Sequence, residues 1–181
     1  MRRIRSIVAC SFAVALASAA FAQASPEAKP TPEHARLGYY VGEWRTEGEM
    51  KASPFGPGGK LTSEDDCRWF EGKFAVICNG QGRGPMGPIK NLGVLGYSAE
   101  EKVYTYYGLD NGSMTMTSIP RGTISGDTWT YEDDAKMGGQ TIKSRFVIEH
   151  LSPDAYTFRW DVQGEGGAWN TVMQGKSTRK K

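Results

Sequence analysis

Short alternating segments separated by glycine predict an all-β protein, a single antiparallel up-and-down barrel of about ten strands preceded by one short helix. Three observations carry that expectation. From Glu43 onward apolar residues recur with a period of two: Tyr156, Phe158, Trp160 and Val162 share one face, and Thr157, Arg159 and Asp161 share the other. The connections are turn-rich, as at Gly56-Pro57-Gly58-Gly59, Asp110-Asn111-Gly112, Ser125-Gly126-Asp127 and Gly138-Gly139. Many of the 23 glycines, including Gly80, Gly82, Gly84, Gly93 and Gly96, fall inside strands, where they permit the tight coiling of a closed barrel. An open sandwich would leave edges to protect.

The chain opens with the basic stretch Met1-Arg2-Arg3-Ile4-Arg5, followed by an apolar, alanine-rich run from Ile7 to Phe21. Ala20-Phe21-Ala22 and Ala22-Gln23-Ala24 both fit small-x-small cleavage sites. Residues 1–24 therefore read as a secretory signal peptide, too short to be a membrane span. The remainder is expected in the periplasm or outside the cell, with no stable membrane insertion after cleavage. The formal charge of +2 includes Arg2, Arg3 and Arg5 from a stretch without acids, so the remainder carries −1. Its bases cluster only at Lys176 and Arg179-Lys180-Lys181, read as a basic tail over 179–181. Phosphate-backbone binding needs a basic stripe, so nucleic acid is not an expected partner.

Residues 25–31 form a polar, proline-containing linker. Thr31-Pro32-Glu33 then reads as an N-cap followed by proline at the first helical position, with a helix running to about Tyr40. Such a helix can plug one end of a barrel domain spanning 32–178. The predicted strands cover 43–51, 60–70, 73–83, 89–98, 102–109, 112–119, 127–135, 140–151, 154–163 and 168–178.

Cys10 leaves with the signal, so Cys67 and Cys78 remain, an even number in an oxidising compartment. A hairpin turn at Gly72-Lys73 sets these two cysteines directly opposite each other. A disulfide is the favoured reading, and two buried free thiols are the alternative.

Leu37-Gly38-Tyr39-Tyr40-Val41-Gly42-Glu43-Trp44 resembles the G-x-W opening of calycin-like barrels. With Gly93-Val94-Leu95-Gly96-Tyr97-Ser98 and Lys102-Val103-Tyr104-Thr105, the chain resembles a family of small secreted bacterial proteins of unknown function over about residues 33–178. That resemblance implies a lipocalin-like barrel and brings no activity with it. The opening is also similar to that of nitrobindin-like haem barrels, in which a histidine near the C-terminal end holds the iron. The last predicted strand here contains no histidine and carries Met173. No cofactor is therefore expected.

Motifs for catalysis are missing. The two histidines are His34, expected to be exposed on the helix, and His150, in phase with Phe146 and Ile148 and so directed inward or toward a rim. A lone imidazole makes no zinc site. Glu64-Asp65-Asp66 and Glu132-Asp133-Asp134 are split between two faces by strand alternation and read as solvated strand or rim. They have no calcium-loop spacing, and there is no G-x-S-x-G. Gly80-Gln81-Gly82-Arg83-Gly84 resembles a phosphate loop, but no helix pattern follows it. The expectation is thus no catalytic residue and no metal ligand.

Aromatic residues are what remain. Trp44, Tyr97, Tyr106, Trp129, His150 and Trp160, with Arg159 as a polar anchor, are the candidate lining of a pocket for a small hydrophobic or amphipathic ligand. The same rings could simply fill a small barrel. Met114, Met116 and Met137 would soften one mouth, and Arg145, if directed inward, would need an anionic partner. Non-enzymatic ligand binding is the first reading; the alternative is a filled structural or protein-interaction module of the cell envelope.

Overall fold

A computed structural model describes residues 28–54, 56–112, 118–137 and 140–181; the expected signal peptide over 1–24 and the start of the linker lie outside them. Ten antiparallel strands close into one barrel in which first and last strands pair. They are β1 (Gly42–Met50), β2 (Gly59–Trp69), β3 (Ala75–Gly84), β4 (Gly87–Ser98), β5 (Val103–Asp110), β6 (Arg121–Ser125), β7 (Thr128–Met137), β8 (Gln140–Ser152), β9 (Ala155–Gln163) and β10 (Trp169–Arg179). Each strand pairs with its neighbour in sequence, as an up-and-down barrel requires.

The expected sixth strand over 112–119 has its centre, 113–117, outside the described residues. Arg121–Ser125 is a strand that alternation did not single out, because only Gly122 and Ile124 mark its inner face. The expected turn between β2 and β3 is longer than two residues: β2 stops at Trp69, Glu71–Lys73 forms a 3-10 turn, and β3 starts at Ala75. The register is nevertheless the expected one. Cys67 faces Cys78 and the two form a disulfide.

The helix α1 (Pro32–Arg36) and the 3-10 turn Leu37–Tyr40 lie across one end of the barrel. Thr31 is the N-cap, and its backbone N–H donates to His34 Nδ1 at 3.0 Å, so a histidine fills the usual Glu position of a capping box. This corrects the expectation that His34 is exposed. It is buried, with its ring edge-on to Phe74 and Tyr97 at 5.2 and 5.3 Å, because the first helical turn presses on the barrel end.

Leu37, Tyr40, Trp44, Val76, Leu95 and Trp129 fill that end. Trp44 Nε1 donates to the Tyr40 carbonyl at 2.8 Å. Arg179, read from sequence as the start of a basic tail, is instead the last residue of β10. Its guanidinium sits 4.3 Å above the Trp44 ring and donates to the carbonyls of Val41, Tyr39 and Pro153. The pairing Trp44↔Arg179 across the closing strands puts it there, and a cation over an indole face is favourable.

Candidate functional site

The two halves of the lumen differ. At the helix end most inward side chains are buried, with Tyr97, His150 and Tyr156 half-buried among them. Toward the other end, Asp65, Asn91, Tyr106, Phe146 and Met173 keep the inward phase, in step with the buried Cys67, Leu95, Tyr104, Ile148 and Ser177, yet are only half-buried. This half is the less completely buried of the two.

Its polar centre is Asp65. Ser63 Oγ donates to Asp65 Oδ2 at 3.0 Å, and Asn91 is a second hydrogen-bond partner. Burial raises the Asp65 carboxyl above its ordinary value, against the lowering by those two bonds. Gly80, on the strand between them, makes this pair feasible: a Cβ there would run into both Asp65 Oδ1 and Asn91 Oδ1. This corrects the reading of Asp65 as solvated surface, since its phase in β2 is that of Cys67.

Tyrosines adjoin the acid. Burial raises the Tyr106 phenol above its ordinary value, and Asp65 and Asp110 push it the same way. Tyr131 lies 6.3 Å from Tyr106, ring centre to ring centre, and is 3% exposed. It fits because Gly122 on β6 has no side chain; a Cβ there would lie 2.6 Å from the Tyr131 ring. Tyr104 donates to the Glu33 carbonyl, and Tyr156 is bonded to Ser177, which meets Thr46 at 2.7 Å. The Tyr131 hydroxyl has no partner. Among the described residues it is the one buried side-chain polar atom left unsatisfied. A buried, unpaired hydroxyl costs free energy.

No group of His, Cys, Asp and Glu among the described residues is arranged to hold a metal ion. A shallow groove on the outer wall, with Glu47, Lys60, Glu149 and Lys176 along it, mixes acids and bases without converging them.

A family model described as "Protein of unknown function (DUF1579)" matches residues 29–179. The chain belongs to that family. No protein of curated function matches this DUF1579 chain in sequence. Its barrel resembles the crystal structure of Rv2717c from M. tuberculosis, at 14% identity and a TM-score of 0.58, over 83% of this chain and 99% of that one. It also resembles the S-type phycobiliprotein lyase CPES from Guillardia theta, at 15% identity and a TM-score of 0.54, over 82% and 93%. A DUF3598 protein of unknown function from Nostoc punctiforme gives 8% identity and a TM-score of 0.53, over 80% of this chain and 49% of that one, so the match spans about half of that chain. At these identities the likeness is one of fold.

The DUF1579 barrel separates the residues that sequence reasoning grouped. Tyr106 lies in the half away from the helix, and so does Trp160, which pairs with Phe146 and Met173 across its neighbouring strands. Trp44, Tyr97, Trp129 and His150 belong to the packed end. His150 stacks on Tyr39 at 3.5 Å and meets the Tyr40 hydroxyl at 3.2 Å, and burial lowers its pKa to about 4. Arg159 lines no lumen: it is exposed on the outer wall and donates to Asp161 Oδ2 at 3.0 Å. Arg145 also faces outward rather than into the lumen and shares that carboxylate at 2.8 Å, and Thr171 donates to its other oxygen. Met114, Met116 and the side chain of Met137 lie outside the described residues. Asp65 and Tyr131 were missed. Their phase was readable, with Cys67 and Trp129 respectively, but an unsatisfied hydroxyl is visible only in three dimensions.

Proposed function

We propose that this protein is an exported, non-enzymatic binding barrel that holds one small hydrophobic or amphipathic molecule in the half of its lumen away from the helix. The observation that carries the reading is the unpartnered hydroxyl of Tyr131, buried beside Tyr106 in the inner wall. A ligand atom that bonds it would remove the penalty of leaving it unpaired, and the adjoining Phe146 and Trp160 offer flat apolar surface. Export is supported by the signal-like residues 1–24 together with a disulfide between Cys67 and Cys78, which persists in oxidising compartments.

The test is native mass spectrometry, with an absorbance spectrum, on signal-free protein purified from a periplasm. A co-purifying small molecule, released on denaturation and depleted by Tyr131→Phe, is expected. A bare mass from every preparation, with no small molecule retained, would overturn the reading. It would favour a filled interaction module, for which Met86, Leu109, Ile119 and Trp169, exposed around the open end, supply an apolar surface.

A further inference from the structure

We propose that the ligand of this lumen is an organic ammonium ion, a protonated or quaternary amine on an apolar or aromatic body, with Asp65 as its counter-charge. The inference rests on the ligand-binding reading above and deepens it. Its basis is the sign of the charge on the inner wall.

Along the inward phase of the described strands, acids occur at Asp65 on β2, Asp110 on β5 and Asp133 on β7. Lys and Arg do not occur on that phase between the open end and Trp44. Arg179, the inward base, is at the helix end and spends its donors on backbone carbonyls and on the Asp154 carboxylate. Among the described residues the other strand bases face outward, as with Arg145 and Arg159 on Asp161, and Lys180 pairs with Glu43 and Glu64. A chain close to neutral overall has therefore placed one sign of charge on this face, with Asp65 and Asp133 half-buried and Asp110 exposed at its rim.

Each acid has neutral partners. Asp65 is held by Ser63 and Asn91, Asp110 accepts from the Gly112 N–H at 2.7 Å, and Asp133 accepts from Ser118 Oγ at 2.8 Å. Hydroxyls, amides and backbone N–H groups orient a carboxylate without neutralising it. An enclosed wall with one sign of charge and low-dielectric surroundings attracts the opposite charge. The deepest of the three, Asp65, lies beside Tyr106, whose ring packs 3.1 Å from the position a Cβ on Gly93 would take. Tyrosine faces next to a carboxylate suit an ammonium group, through the ring quadrupole as well as the charge. The unpartnered Tyr131 hydroxyl beyond Tyr106 gives a second, independent contact for the same guest.

The experiment uses three probes of one shape and different charge: 1-naphthylmethylamine, 1-naphthalenemethanol and 1-naphthoate, titrated at neutral pH by calorimetry. The wild type is expected to bind the amine about tenfold more tightly than the alcohol and to reject the carboxylate, the increment of one charge-assisted hydrogen bond. Asp65→Asn, an isostere that keeps contacts to Ser63 and Asn91, should abolish the preference, bringing the amine down to the affinity of the alcohol. Should Asp65→Asn not fold, Asp133→Asn serves nearer the mouth, and should weaken the amine alone by about two- to threefold at low salt. Equal binding of amine and alcohol, or tightest binding of naphthoate, overturns the ammonium proposal and leaves the ligand-binding reading standing. Binding of none of the three, from a protein that also carries no co-purified molecule, overturns both.

Discussion

Replacing Tyr131 by Phe should make the empty protein more stable and the loaded protein weaker. Tyr131 is 3% exposed and its hydroxyl is bonded to nothing, while burial drives the phenol well above its ordinary pKa. A buried donor left unpaired costs about 1–3 kcal/mol, and phenylalanine keeps the ring in place against Gly122 while removing that cost. Some contact of the oxygen with its surroundings is lost, so a net gain of about 1–2 kcal/mol is expected. For a chain of this size each kcal/mol raises Tm by roughly 2–4 °C. Urea denaturation should show a higher midpoint with an unchanged m-value, since no surface is added or removed. Affinity for any guest that bonds Tyr131 should fall about three- to tenfold, one hydrogen bond. Opposite signs for stability and binding distinguish a ligand contact from a structural one. If Tyr131→Phe proves less stable by 0.5 kcal/mol or more (about the lower limit for one hydrogen bond), the hydroxyl is satisfied in the empty protein and the reasoning fails.

Three further outcomes are expected. Arg179→Ala should cost about 3 kcal/mol by urea denaturation, because it removes the cation over Trp44 and three carbonyl partners; Arg179→Lys should recover little of it, lacking the planar fork. Reducing the Cys67–Cys78 bond, or replacing both by alanine, should lower stability by roughly 3 kcal/mol for a loop with a sequence separation of 11, read as the Tm difference with and without reductant. His150 has its folded-state pKa lowered from 6.5 to about 4, so the unfolded chain binds its proton first and stability is lost as pH falls from about 6.5 to about 4. After discounting for its partial exposure, the loss should be about 1–2 kcal/mol and should be absent in His150→Gln, measured by urea midpoints at neutral and acid pH.

Much of the fold was legible in the chain and little of the site. Alternation along β8 and β9 fixed which residues point inward, and Gly72-Lys73 set the register that joins Cys67 to Cys78 even though the turn is longer than expected. Thr31-Pro32 marked the helix start. What stayed hidden depends on strands that are distant in sequence. Arg179 looks like a loose basic end until β10 closes on β1 and sets it over Trp44. Arg159 looked like a pocket anchor because its strand carries aromatics, but its own phase sends it outward to Asp161. Asp65 was lost in a run of three acids, where composition says surface and position within the run decides otherwise. The split of the aromatics between the helix end and the half away from it follows from where the helix lies, which no strand pattern records.

Closing the barrel by pairing β1 with β10 also constrains how the protein can come to exist. The contact between Trp44 and Arg179 joins nearly the whole length of the domain, so its loop-closure entropy is met late and in one step. Until β10 is available, β1 and β9 are open edges inviting intermolecular pairing. The chain therefore has no stable half: folding should be cooperative and slow to begin, and a fragment ending anywhere before β10 should aggregate rather than persist.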